Sequence, residues 1–191
     1  MMNFDAERMM VAQQIRVRLQ ELQQHILTGR RPIEHIEACV TGLDREAELP
    51  PEDGYKPFKL PRHWGGFDQT TWFRFQAAVP PEMKGACVVA RIRPHGESLA
   101  FVDGKRAQGL DENRDILFLT EKAEGNEVFE IHLESVPSVR FDLVHPFGYA
   151  EVAAFHQDRW DYYWDIQTLL EVLEVLPEDY APRWRLLRLL D

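Results

Sequence analysis

The chain has 191 residues, of which 45% are hydrophobic and 11% aromatic, the composition of a globular protein rather than a disordered one. A chain of this length buries roughly 70% of its unfolded surface, enough for one core with a small helical appendage. The 32 acidic residues outnumber the 22 basic ones and give a net charge of −10. This balance excludes nucleic acid as the expected partner, because phosphate binding depends on clustered Lys and Arg.

The N-terminus and the cysteines predict a cytoplasmic protein. Residues 1–7 lack the basic and apolar segments of a signal peptide, and nowhere do about 18 apolar residues run together, so we expect no membrane association. Cys39 and Cys87 lie far apart without metal-ligand spacing around either. Buried thiols in a reducing compartment are the expectation.

The first 48 residues are predicted to form a helical lead-in. Apolar residues recur at spacings of three, four or seven from Phe4 to Leu27, which predicts an amphipathic helix ended by Gly29. A shorter helix is predicted from the spacing of Ile33, Ile36 and Val40. Four prolines between residues 50 and 61 then indicate an extended linker.

A β-sandwich is predicted over residues 49–150, because apolar residues alternate with a period of two between Thr70 and His145. Asp103-Gly104 predicts a hairpin with a type I′ turn, in which glycine supplies the positive φ. The alternation and the turn residues predict strands at residues 73–79, 88–92, 99–102, 116–120, 129–133 and 140–144.

Residues 151–191 are predicted to form C-terminal helices. A helix from Asp158 to Leu176 carries a core-facing stripe of Tyr162, Ile166, Leu169, Leu173 and Leu176. Trp160, Trp164 and Val175 lie nearly opposite this stripe and form a second apolar face, which either the N-terminal helix or another domain must cover. Helical periodicity resumes at Trp184 and reaches the last residues without a stop signal, which suggests that a longer polypeptide continues.

Trp72 and Arg74 share one face of their predicted strand, opposite Phe73 and Phe75. A Trp beside an Arg could stack on and hydrogen-bond a sugar. The alternative is a stacked cation–π pair that seals the sandwich, or an interdomain contact. Aromatic residues on both faces of a strand usually mean that both faces are covered, which favours the alternative.

Several motifs in chain order resemble the N-terminal domain of cytosolic-type α-mannosidases of glycoside hydrolase family 38. They are Trp72-Phe73-Arg74, Pro80-Pro81, Gly85, Phe101-Val102-Asp103-Gly104, Gln108-Gly109-Leu110-Asp111 with Asn113, and the Trp/Tyr-rich segment 160–165. The resemblance implies a mainly β fold, a jelly-roll-like (galactose-binding-like) β-sandwich with N-terminal and C-terminal helical flanks.

The resemblance also implies a non-catalytic accessory domain that buttresses or positions a zinc-dependent, retaining α-mannosidase domain of the same polypeptide. That catalytic domain begins with a Gly-His-x-His-x-Asp motif, which this sequence lacks. We therefore expect neither a catalytic residue nor a metal in this chain, and zinc only in the parent enzyme. Trp160 and Trp164 are the predicted docking residues for the catalytic domain.

Two other functions stay open. One is a free-standing carbohydrate-binding module that takes an oligosaccharide, whose candidate contacts are Trp72, Arg74, Asp103, Gln108, Asp111 and Asn113. These residues could equally be interdomain contacts. The other is a structural module that forms a homo-oligomer, favoured by the two-faced final helix.

Overall fold

The computed structural model describes residues 4–42, 49–137, 144–177, 180, 181, 185 and 186. Along the described sequence, helix α1 (Phe4–Gln24) comes before twelve strands, and helix α2 (Gln157–Val175) follows them. The strands are β1 (Leu27–Pro32), β2 (Ile36–Gly42), β3 (Lys56–Pro57), β4 (His63–Trp64), β5 (Gln69–Ala78), β6 (Cys87–Arg93), β7 (Glu97–Val102), β8 (Lys105–Leu110), β9 (Ile116–Thr120), β10 (Val128–Val136), β11 (His145–Pro146) and β12 (Tyr149–Phe155).

The strands form two main sheets. One sheet has six strands in the order β3-β2-β5-β10-β7-β8, and the other has four in the order β1-β12-β6-β9. A short third sheet pairs β11 with β4. Strand β5 lies at the centre of the larger sheet, antiparallel to β2 on one side and to β10 on the other. The protein is therefore mainly β with helical segments before and after the sheets, which confirms the predicted fold class.

The chain divides into two compact units. One comprises residues 29–154 and contains most of the two sheets, and the other comprises Met1–Thr28 and Phe155–Asp191. The core of the first unit is built by alternate residues of both sheets, as expected for half-buried strands. Its fully buried members include Phe73, Phe75, Ile131 and Leu133 of the larger sheet and Val88, Ala90, Ile92 and Val152 of the smaller one.

In the second unit, α1 packs against α2. The buried residues are Ile15 and Leu19 of α1 with Leu170 and Leu173 of α2. An ion pair between Arg16 and Glu174 lies on the surface of the same helix pair. The helix predicted from Phe4 is confirmed, and it ends at Gln24 rather than at Leu27.

The short helix predicted from Ile33, Ile36 and Val40 is wrong, because residues 36–42 form β2. Consequently the predicted helical lead-in of residues 1–48 is helical only as far as Gln24 in the part of the chain that the structure describes. The sequence misleads here because β2 places apolar residues on both of its faces. Ile36 enters the core between the sheets, whereas Cys39 joins a separate cluster on the outer face. A strand covered on both faces has no clean period of two.

The predicted core stripe of α2 is correct for Ile166 and Leu173 only. Tyr162 is 60% exposed, Leu170 rather than Leu169 is in the cluster, and Leu176 follows the helix, which ends at Val175. Tyr163, Ile166, Leu170 and Leu173 form the side that packs in the α1–α2 cluster. The one-residue shift from Tyr162 to Tyr163 follows from the exact rotation of the helix about its axis, which the packing against α1 fixes. Most of the strand predicted at residues 140–144, and Trp184 in the last helical stretch, lie outside the described residues.

Candidate functional site

Trp72 lies on the outward face of β5, but it is only 1% exposed. Its indole packs against Phe101 of β7 with the ring centroids 5.8 Å apart, and Cys39 and Tyr55 complete the cluster. This second, smaller core covers the outer face of the six-stranded sheet. The indole of Trp72 is thus occupied by protein contacts, as predicted from the aromatic residues on both strand faces.

Arg74, two residues further along β5, is held by two carboxylates and one ring. Its guanidinium donates to Glu37 of the neighbouring strand, with Nη2 2.7 Å from Oε2, and also pairs with Glu52. Its Cζ lies 4.3 Å from the centroid of the Tyr55 ring. Burial opposes the charge, but the hydrogen bonds to Glu52 and Glu37 outweigh it and raise the pKa of Arg74. Its cation–π partner is therefore Tyr55, not Trp72.

His132 of β10 stands beside Arg74 in the register and is also covered by Tyr55. The two rings meet edge to face at 6.0 Å, and His132 is 4% exposed. In the sequence, His132 alternates with Phe129, Ile131 and Leu133, which predicts that it faces solvent. This prediction is wrong, because the segment containing Tyr55 covers this face. Burial lowers the pKa of His132, and it raises that of Tyr55 to about 12. The ring nitrogen Nδ1 of His132 has no hydrogen-bond partner among the described residues.

Asp103 and Gln108 have structural contacts within the sandwich. Asp103 and Gly104 both have positive φ, 48° and 73°, and join β7 to β8 as the predicted type I′ turn. The carboxylate of Asp103 accepts a hydrogen bond from the backbone N–H of Glu130 at 3.0 Å. Gln108 donates from Nε2 to the carbonyl of Ile116 at 2.7 Å, which links β8 to β9.

Asp111 organises the turn between β8 and β9. Its Oδ1 accepts hydrogen bonds from the backbone N–H groups of Asn113 at 2.8 Å and Arg114 at 2.9 Å, and its Oδ2 pairs with the Arg114 side chain. The hydrogen bond to Arg114 holds the pKa of Asp111 below its usual value. Asn113 itself is exposed. The structure thus brings Trp72 and Arg74 onto one sheet face and places the other four predicted contacts in turns and at a strand junction.

An open groove that the sequence did not predict crosses one edge of the sandwich. Residues 33–35 run from the end of β1 in the smaller sheet to the start of β2 in the larger one. The backbone hydrogen bonds of Ile33 to Ala150 and of Phe58 to Ile36 fix both ends of this crossing. Two cavities meet here, and they share Glu34, Ile36, Phe58 and Lys59. We call the two cavities together the edge groove.

The two halves of the edge groove differ in their walls. The first, of about 520 Å3, reaches over the larger sheet to Arg74, Gln76 and Glu130. The second, of about 470 Å3, reaches over the smaller sheet to Tyr149 and Glu151. Phe58 and Lys59 fall in a stretch that the sequence identified only as a proline-rich linker. The groove depends on several chain segments, distant in sequence, that meet only in the folded protein, so no local pattern could reveal it.

Trp160 and Trp164 lie on the predicted second face of α2. Trp160 is half-buried and packs against Phe155, with the ring centroids 5.7 Å apart, whereas Trp164 is 46% exposed. The two indoles contact each other edge to face at 5.6 Å. Val172 and Val175 on the same helix are 39% and 80% exposed. We call these three exposed apolar residues, Trp164, Val172 and Val175, which are spread over about three turns of the helix, the α2 stripe.

The described part of the chain contains no group of three or more His, Cys, Asp or Glu side chains placed to hold a metal ion. None of its helices combines the length and the apolar character needed to span a membrane.

Residues 35–160 match the family described as the alpha-mannosidase jelly roll domain. The match covers most of the chain and contains every strand from β2 to β12. The chain belongs to this family. The predicted resemblance and the predicted jelly roll are thereby confirmed. Comparison with curated proteins gave no match.

The region that matches the alpha-mannosidase jelly roll domain includes most of the candidate residues. It contains Trp72, Arg74 and the turns at Asp103 and Asp111, and it ends at Trp160. The edge groove lies within it except for Pro32, Ile33 and Glu34. Trp164 and the rest of the α2 stripe follow the match.

Proposed function

We propose that this jelly roll domain is a non-catalytic accessory domain of an α-mannosidase, which buttresses or positions the zinc-dependent catalytic domain of the same polypeptide. The observation that carries the proposal is the match of residues 35–160 to the alpha-mannosidase jelly roll domain. The metal and the catalytic carboxylates would then belong to the catalytic domain. This chain would support or orient the catalytic domain and would take no part in the hydrolysis itself.

The conserved chemistry of a glycosidase site supports this assignment of roles. Retaining hydrolysis needs two carboxyl groups about 5–5.5 Å apart, one of them kept protonated by its surroundings. Among the described residues, the carboxylates of Glu37 and Glu52 are both bound to Arg74 and are therefore already engaged by a protein partner.

The α2 stripe is the surface that we propose for docking. An exposed Trp and two exposed Val residues on one helix are costly in water unless a partner covers them. The partner we assign is the catalytic domain of the same polypeptide, because a buttress must contact the domain that it supports. A second copy of the chain is the competing occupant, and it would make the domain a homo-oligomer.

The docking assignment is tested with Trp164→Ala, and Tyr162→Ala is the matched control. Both residues are exposed aromatics of α2, but only Trp164 belongs to the α2 stripe. In the α-mannosidase polypeptide that contains this domain, Trp164→Ala should lower the melting temperature or the mannosidase activity, and Tyr162→Ala should change neither. Equal behaviour of the two variants would refute docking through the stripe.

The same pair of variants distinguishes docking of the α2 stripe on the catalytic domain from its docking on a second copy of the chain. Sedimentation of the chain alone should give a monomer for wild type and for both variants. A wild-type dimer that Trp164→Ala dissociates would show that the stripe serves self-association, and the assigned partner would then be wrong.

A further inference from the structure

A further cavity, of about 390 Å3, lies against the paired strands β2 and β5. Its other walls come from two stretches of the chain between these strands, within residues 54–58 and 62–65. The volume falls within the range of about 300–1,000 Å3 that is usual for small-molecule sites. Because its walls contain Lys56, Arg62 and His63, we call this cavity the basic pocket.

The formal charges in the basic pocket have one sign. Lys56 and Arg62 line it, and none of the described residues in its walls is an Asp or a Glu. The edge groove is the opposite, since its walls contain more glutamates than cations. The chain as a whole has a net charge of −10, so a cavity with two cations and no described carboxylate differs from its surroundings. Such a cavity attracts an anion and disfavours a cation.

Both cations are available to a ligand. In the part of the chain that the structure describes, the side chains of Lys56 and Arg62 have no ion-pair or hydrogen-bond partner. The Arg62 guanidinium lies over the ring of Phe58, with Cζ 5.3 Å from the ring centroid. This cation–π contact holds the side chain but leaves its N–H donors without an acceptor. An oxyanion supplies two oxygens in the geometry that an arginine binds best.

The backbone beside each cation is anchored. Lys56 lies in β3 and pairs with Ala38 of β2. The carbonyl of Arg62 accepts a hydrogen bond from the backbone N–H of Phe147 at 2.9 Å, and Phe58 beneath the guanidinium belongs to the buried core. Side chains on an anchored backbone lose less conformational entropy on binding than those on a mobile loop. The cationic wall is therefore in place before a ligand binds.

Thr71 gives an independent indication that a polar partner belongs in the basic pocket. It lines the pocket and is 1% exposed, and its hydroxyl Oγ1 has no hydrogen-bond partner among the described residues. Buried polar groups are nearly always paired, because an unpaired one costs free energy. A hydroxyl can donate to an anionic oxygen. The unpaired hydroxyl and the two cations thus point to the same kind of ligand.

We propose that the basic pocket binds the oxyanion group of a small ligand, a carboxylate or a phosphate, through Arg62 and Lys56, with the Thr71 hydroxyl as a further donor. Val40 is 58% exposed and Pro57 is also exposed, so accessible apolar surface is present beside the cations for a short carbon portion of the ligand. Carboxylates and phosphates share the chemistry that the pocket recognises, which is a pair of negatively charged oxygens. The proposal does not rest on the accessory role of the domain.

The test is titration of the chain with inorganic phosphate and, separately, with malonate, at constant ionic strength and followed by protein-observed NMR. The amide signals of residues 54–58, 62–65 and 71 should shift, together with the indole N–H of Trp64 in the pocket wall. Binding of both probes, or of one of them, supports the site. A response to malonate alone identifies a carboxylate ligand, and a response to phosphate alone identifies a phosphate ligand.

The variant Lys56→Gln/Arg62→Gln removes both cations at exposed positions. Lys105→Gln/Arg106→Gln in β8 is the matched control, because it changes the net charge equally at two exposed residues outside the pocket. The pocket variant should bind the anion about tenfold more weakly, as expected from lost charge-assisted hydrogen bonds, and the control should bind like wild type. Thr71→Val keeps the shape of the side chain and should weaken binding about threefold.

The site is wrong if neither anion shifts these signals at tens of millimolar. It is also wrong if the two double variants bind equally, since the response would then depend only on the net charge of the chain. Wild-type binding by Thr71→Val would overturn the part assigned to its hydroxyl. Unchanged amide signals elsewhere in each variant check that the sandwich is folded. None of these outcomes affects docking through the α2 stripe, which the Trp164 variant tests separately.

Discussion

The turn between β7 and β8 depends on the conformational freedom of Gly104. Its φ of +73° lies in the left-handed region, and open space surrounds the position that a Cβ would take. The cost of a side chain there is thus backbone strain rather than a clash. We expect Gly104→Val to destabilise the chain by about 1–3 kcal/mol, since a β-branched residue is strongly disfavoured at positive φ.

Gly109→Val is the control for this prediction. Gly109 lies in β8 of the same hairpin, and a Cβ there would make only ordinary contact, 3.8 Å from the Ser98 carbonyl. Thermal or urea unfolding should show a clear loss for the Gly104 variant and a smaller change for the Gly109 variant. Equal unfolding curves for the Gly104 variant and wild type would show that the turn tolerates a side chain.

His132 should make the stability of the sandwich depend on pH. Burial lowers its pKa in the folded state, while Glu130 and Glu52 oppose this effect and Arg74 supports it. The unfolded chain therefore takes up the proton first as the pH falls. Stability should be full above the ordinary histidine pKa of about 6.5 and should decrease as the pH drops below it.

The check is urea unfolding of wild type and His132→Asn between pH 7.5 and 5. The wild-type free energy of unfolding should fall more steeply over this interval than that of the variant. His156, whose pKa is also lowered, chiefly by burial, remains in both proteins and provides a common background. Parallel pH profiles would show that His132 is not protected from protonation in the folded state.

At the scale of the element, α2 has one face that stabilises the helical unit and one that does not. Leu173 is buried in the cluster with Ile15, Leu19 and Leu170, whereas Val175, two residues later, is 80% exposed. Leu173→Ala should destabilise this unit by about 2–5 kcal/mol through the lost contacts and the cavity left behind. Val175→Ala should change stability by no more than about 0.5 kcal/mol.

Far-ultraviolet circular dichroism during heating would measure this difference, because α1 and α2 contribute most of the helical signal in the described residues. A low-temperature loss of helix is expected for Leu173→Ala alone. A similar loss for Val175→Ala would mean that the α2 stripe is covered within the chain, and its proposed role in docking would be untenable.

For the whole molecule, we expect no glycosidase activity from this chain alone. The sequence lacks the Gly-His-x-His-x-Asp motif, and the match identifies a jelly roll domain rather than a catalytic one. Incubated with an aryl α-mannoside and added zinc or cobalt, the purified chain should release no more product than buffer. An active α-mannosidase serves as the positive control. Zinc-dependent hydrolysis that is lost on substitution of one of the chain's own acidic residues would overturn the accessory role.

Local patterns in the sequence determined several of the strands, the hairpin turn and the family, but not β1, β2 or β12, the last of which runs to Phe155 within the segment predicted as C-terminal helices. Alternation of apolar residues predicts β5, β6 and β10 because each has one face toward the core between the sheets. The dipeptide Asp103-Gly104 predicts its turn because few residues adopt positive φ. The motifs from Trp72 to Asn113 sufficed to identify the jelly roll, which the match confirms.

Only the tertiary structure decided what covers the outer face of the larger sheet and where a ligand could lie. Tyr55 contacts His132 and Arg74 across long stretches of sequence, so the burial of His132 depends on contacts that no local period encodes. For the same reason the sequence predicts a helix where β2 lies, since the apolar pattern of a strand that is covered on both faces depends on what packs against each face. The edge groove exists because several distant segments meet where the chain crosses between the sheets. Local sequence determines which residues can form a strand or a turn, whereas long-range packing determines which of their side chains stay accessible.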